Sequence, residues 1–98
     1  MTSRLIYSEY NYAQLARALA KLGFSESRGK TDLNIPYRAY DNPEHEAWTM
    51  LPDLADDERV EHVYLRRVER VLEEHGIVDS ETFHRLIQEA AQKEPHAA

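Results

Sequence analysis

Leu22-Gly23-Phe24 and His75-Gly76-Ile77 each set a glycine between the end of an amphipathic stripe and a following apolar residue. A glycine in the left-handed conformation stops a helix, and the apolar residue after it folds back onto the last turn. The stripe before the first glycine is Tyr12, Leu15, Ala16, Leu19 and Leu22, at spacings of three and four. Asn11 with Gln14 three residues later resembles a capping box at its start. Before the second glycine, Tyr64, Leu65, Val68, Val71 and Leu72 share one face, and Arg66, Arg67, Arg70, Glu73 and Glu74 the other. A last, shorter stripe (Phe83, Leu86, Ile87, Ala90) follows Asp79 or Ser80 as its cap.

Between the two glycine stops the period changes from 3.6 to 2. Phe24–Arg28 reads as a short strand and Gly29–Asp32 as a turn. Leu33, Ile35, Tyr37 and Ala39 then alternate with Asn34, Pro36, Arg38 and Tyr40, the pattern of a half-buried strand. Pro36 cannot donate to a ladder and predicts an edge or bulge there. Asp41-Asn42-Pro43-Glu44 is turn chemistry, His45–Leu51 returns as a third strand, and Pro52 ends it. Asp53–Arg59 reads as an acidic connection, and Arg4–Tyr7 as a short leading strand. The expected fold is α+β, in the order α-β-β-β-α(-α). It has a three-stranded antiparallel sheet with the helices on one face, in a single domain over residues 1–92 with a frayed tail at residues 93–98.

Ninety-eight residues hold one core. Cysteine is absent, which excludes disulfides, a thiol nucleophile and thiolate metal sites. MTSRLIYSEYNY lacks a basic segment followed by an apolar run, and no stretch of roughly eighteen apolar residues occurs, so the expectation is a soluble cytoplasmic protein with no membrane span. Net charge is −6, unevenly spread. Residues 1–40 hold six basic groups (Arg4, Arg17, Lys21, Arg28, Lys30, Arg38) against Glu9, Glu26 and Asp32, and the remaining carboxylates crowd residues 41–98. The asymmetry predicts a basic face for phosphate; a solvated surface is the plainer account of the acidic half.

Three stretches, LARALAKLGFSESRGK (Leu15–Lys30), YRAYDNPEHEAWTMLP (Tyr37–Pro52) and DERVEHVYLRRVERVLEEHGIVDSETFHRLI (Asp57–Ile87), together resemble the HicA-like mRNA interferase toxins. The resemblance implies a fold like a double-stranded-RNA-binding domain, with RNA or a HicB-like antitoxin as partner. That family's catalytic group is a histidine after Gly-Ser at the start of the second strand, where this chain has Lys30-Thr31-Asp32-Leu33-Asn34. Attack by a ribose 2′-hydroxyl needs a base that titrates near neutrality. A turn carboxylate titrates near 4 and an amide not at all. The expected function is therefore a non-catalytic binding module for structured RNA or a protein partner. The alternatives are an endoribonuclease with a relocated base, for which His45 between Glu44 and Glu46 is the candidate, and a structural homodimer.

The RNA reading assigns Arg17, Lys21, Arg28, Lys30 and Arg38 to phosphate positioning, with exposed aromatics stacking bases. Against it, the entry to the second long helix, DLADDERVEH, repels phosphate. Tyr12, Tyr37 and Tyr64 are expected in the core. Tyr40, Trp48 and Met50 are expected on the opposite strand face, as an interface with a protein partner or a second copy. His75 suits a helix C-terminus. His62 with Glu58 and Glu61 lacks the spacing of a metal site, so neither a metal nor a cofactor is expected.

Overall fold

The structure, a computed structural model, describes residues 6–92. Strand β1 (Tyr7–Asn11) leads into helix α1 (Tyr12–Lys21), and strands β2 (Ser25–Lys30), β3 (Pro36–Asn42) and β4 (Ala47–Pro52) follow. The chain then makes β5 (Arg59–Glu61), α2 (His62–Glu74) and α3 (Ser80–Gln92). β2, β3 and β4 form an antiparallel sheet in that order, and β1 pairs with β5 in a separate two-stranded sheet. The architecture is α+β, as the periodicities predict. The expected fraying of Lys93–Ala98 lies outside the described residues.

Both glycine stops are Schellman turns. Gly23 has φ +92° and Gly76 φ +66°. Phe24 N–H reaches back to Leu19 O, and Ile77 N–H to Leu72 O. These bonds occupy carbonyls that would otherwise be left open at a helix end. α1 starts on a capping box: Asn11 Oδ1 accepts from Gln14 N–H and Gln14 Oε1 from Asn11 N–H, both at 2.9 Å. Two more of its first N–H groups donate to Glu58 O and Asp56 O. The acidic connection thus closes the N-terminus of α1. For α3 the cap is Asp79, whose carboxylate accepts from Thr82 N–H at 2.8 Å.

The sheet buries one face against the helices. Arg38 lies opposite Leu51, Tyr40 opposite Thr49 and Asn42 opposite Ala47, and all six are buried. Tyr40, Ala47 and Leu51 share a core with Leu15 and Leu19 of α1, Leu65, Val68 and Leu72 of α2, and Phe83 and Ile87 of α3. Each such leucine or isoleucine contributes about 1.5–3 kcal/mol relative to exposure. The other face carries Tyr37, Ala39 and Asp41 on β3 beside Met50 and Trp48 on β4.

Four expectations are corrected. First, β3 starts at Pro36, and Leu33 and Ile35 sit in the turn before it. Thr31 N–H donates to Ile35 O and Asn34 N–H to Thr31 O, with Asn34 at φ +64°. Second, Tyr40 faces the helices rather than joining Trp48 and Met50, because it pairs with Thr49 while Trp48 pairs with Asp41. Period two fixes which residues share a face, not which face is buried. Third, Tyr37 lies half-buried on the outer face, across Gly29: a β-carbon at Gly29 would sit 2.7 Å from its hydroxyl. Fourth, the leading strand is Tyr7–Asn11 instead of Arg4–Tyr7; Arg4 and Leu5 lie outside the described residues. Its partner β5 ends the acidic connection, joined by Ser8 Oγ donating to Val60 O at 2.8 Å.

Candidate functional site

The basic residues of the first half divide into two groups. Arg38 is only 1% exposed. Its Nη1 donates to the Tyr40 hydroxyl at 3.4 Å, and its Nη2 donates to Leu54 O and, at 3.3 Å, to Asp56 Oδ1. Glu26 and Asp53 approach it at 3.7 Å, and its guanidinium lies 4.9 Å from the Tyr12 ring centroid. Arg28, beside it on β2, contacts the same three carboxylates at 3.6–3.8 Å. Two guanidiniums shared among three carboxylates leave no surplus cation for a phosphate.

Burial works against the Arg38 charge, but the Tyr40 hydroxyl and the carboxylates of Glu26 and Asp56 outweigh it and raise its pKa. The Tyr40 hydroxyl donates to Glu26 Oε2 at 2.6 Å. Burial and that carboxylate push its pKa well above the phenol range. Burial likewise pushes Tyr12 up to about 12. Both phenols hold their protons at neutral pH, so neither serves as a base. This network braces the sheet against the connection between β4 and β5.

Lys21 and Lys30 are exposed but stand at opposite ends of the sheet. Lys30 pairs with Pro36 at the start of β3, whereas Leu22 O, next to Lys21, accepts from Asn42 Nδ2 at its far end. Six residues of strand separate those ends, roughly 20 Å. Arg17 is exposed on α1. The five residues assigned to phosphate do not converge on one patch.

The histidines are also dispersed. His45 closes the 3-10 turn Pro43–His45 after β3, the opposite end of the sheet from Lys30–Asn34. Its backbone N–H donates to Asn42 Oδ1 and its carbonyl accepts from His75 Nδ1 at 3.2 Å. His84 of α3, which sequence reasoning passed over, pairs through Nε2 with Glu69 of α2 and meets the Tyr10 ring of β1 at a tilt, 5.9 Å between centroids. It ties three elements together. Among the described residues no group of three or more histidines and carboxylates could hold a metal ion.

Apolar surface gathers elsewhere. Trp48 is 54% exposed on the outer sheet face, in one row with half-buried Met50 and Pro52. Past the sheet end, Leu33 is 81% and Ile35 55% exposed on the Thr31–Ile35 turn. A groove of about 200 Å³ continues the row, bounded by Ile35, Tyr37, Met50, Pro52, Tyr64 and Arg67. α2 supplies one wall of the groove through Tyr64 and Arg67, while Trp48, Leu33 and Ile35 stay exposed. Exposed apolar surface of this kind is a candidate interaction site. Trp48 and Met50 were legible from alternation. Leu33 and Ile35 were not, because the strand pattern assigned them inward.

No family model, curated protein or solved structure matches the chain. Among the described residues no helix is long and apolar enough to cross a membrane.

Proposed function

We propose that the chain is a small HicA-like binding module that works without the usual catalytic histidine and docks a protein partner through its outer sheet face. The observation that carries this reading is the uncovered row Trp48–Met50–Pro52, continued by Leu33 and Ile35. The order α1-β2-β3-β4-α2, with both glycine stops, supports a fold like the double-stranded-RNA-binding domain. The imidazole-free turn Thr31–Ile35 supports the absence of ribonuclease chemistry. The scattering of Lys21 and Lys30, and the neutralised Arg28 and Arg38, favour protein over RNA.

The test is recovery of the affinity-tagged chain from the cells that make it, as wild type and as Trp48→Glu. A protein held in near-stoichiometric amount by the wild type and lost from the variant supports the reading. Recovery of RNA that leaves in high salt and is indifferent to Trp48→Glu overturns it in favour of phosphate binding, as does recovery of nothing. A second copy of the chain as the retained protein, seen by light scattering, identifies the homodimer.

A further inference from the structure

The groove beyond the end of the outer face has its own chemistry. Its floor is apolar, and one wall belongs to the edge strand: β4 pairs with β3 alone, so its other side offers N–H and C=O groups without a strand partner. Its other wall belongs to α2, through Tyr64 and Arg67. The Arg67 guanidinium lies 5.4 Å from the Tyr64 ring centroid. Among the described residues neither Arg67 nor its exposed neighbours Arg66 and Arg70 form an ion pair, in contrast to Arg28, Arg38 and Arg85. Of the three, Arg67 alone lines the apolar slot, while Arg66 and Arg70 face a second hollow with Glu69, Glu73 and Glu74, so Arg67 is the cation that the groove offers.

We propose that this groove takes an extended acidic segment of the partner protein, laid along β4 as an added strand. One apolar side chain enters the groove and an adjacent carboxylate meets Arg67. The inference rests on the protein-docking reading and specifies the partner's chemistry. Strand addition draws affinity from main-chain hydrogen bonds and specificity from alternate side chains. At about 200 Å³ the groove is smaller than the roughly 300–1,000 Å³ of small-molecule sites and suits a single side chain. Pro52, lacking an N–H, limits the added ladder at that end of β4. A planar arginine fork pairs with a carboxylate in two parallel hydrogen bonds. An RNA strand would also meet Arg67, but the aliphatic floor of Ile35, Pro36 and Met50 gives its sugars and phosphates nothing to bind.

The probe is a displayed library of random decapeptides selected on the full chain, as wild type and as Arg67→Glu, with circular dichroism confirming that both fold. Wild-type selections are expected to converge on peptides alternating apolar and polar residues, with Asp or Glu beside the anchor. A synthetic consensus peptide should lose about tenfold in affinity on Arg67→Glu. Selections on that variant should turn to Lys or Arg. Convergence without an acidic preference, no convergence, undiminished binding to Arg67→Glu, or displacement of the peptide by a single-stranded RNA oligonucleotide each overturn the proposal. Recovery of the native partner separates the two readings. A partner lost on Trp48→Glu but kept on Arg67→Glu removes the groove and leaves the docking face standing. A partner kept by both variants removes both.

Discussion

Arg38 stands in the middle strand at a position that alternation assigns to solvent, and the fold buries it by surrounding it with Glu26, Asp53, Asp56, Tyr40 and Tyr12. Removing one partner of a buried ionic network strands the others. Arg38→Ala should cost about 3–5 kcal/mol, read as a lowered urea midpoint, and an unchanged midpoint would show the network to be dispensable. Arg38→Lys should not restore it, since an ammonium cannot span the same fork of acceptors. The Tyr12 hydroxyl is buried with no hydrogen-bond partner among the described residues. Tyr12→Phe should therefore be neutral or stabilising by about 1 kcal/mol. The two phenols also set an alkaline limit. Their folded pKa values lie above the ordinary 10.0, so the folded state holds these protons more tightly than the unfolded chain. Their contribution is full below pH 10; that of Tyr12 is lost as pH rises from there through about 12, and that of Tyr40 over a window reaching higher. Stability should fall over that window, and less steeply in Tyr12→Phe.

At the scale of elements, the helices were legible because their signals are local. A stripe of period 3.6, an Asn-x-x-Gln start and a glycine stop each act within five residues. Gly23→Ala should cost about 1 kcal/mol, since alanine resists the φ of +92° held there, and Asn11→Ala about 1 kcal/mol through the lost capping box. Thermal unfolding of each variant checks both, and unaltered melting would deny these devices their role. The three strands of the main sheet and their order were equally readable. The face of the sheet was not. Leu33 and Ile35 look like the inward residues of a strand until Thr31 closes a turn over Asn34 and leaves them outside. Arg38 and Tyr40 look outward until distant carboxylates are brought to them, and only the folded connection supplies Asp53 and Asp56. The β1–β5 pair was invisible for a related reason: strands of five and three residues separated by half the chain carry too little pattern to announce each other.

At the scale of the whole molecule, the buried core and the exposed apolar row occupy opposite faces of one sheet. The ionic network and the helix-covered core lie on one side, and the uncovered aromatic row on the other. Trp48→Glu should therefore leave the melting temperature nearly unchanged, within about 0.5 kcal/mol, while removing partner capture. A large loss of stability would place Trp48 in the core's service instead. The same separation makes Arg38→Glu a poor probe of phosphate binding, since loss of folding would imitate loss of affinity; Lys30→Glu is the informative substitution for that purpose.

The clasp between Tyr7–Asn11 and Arg59–Glu61 joins the chain just ahead of α1 and α2, with His62 N–H donating to Ile6 O at 2.7 Å. While the polypeptide is being synthesised, β1 has no strand partner until residue 61 clears the ribosome. The opening of α1, which leans on Asp56 and Glu58, waits almost as long. A nascent chain halted before that point should remain open to protease along β1 and α1, and one released beyond it should close around both strands of the clasp together.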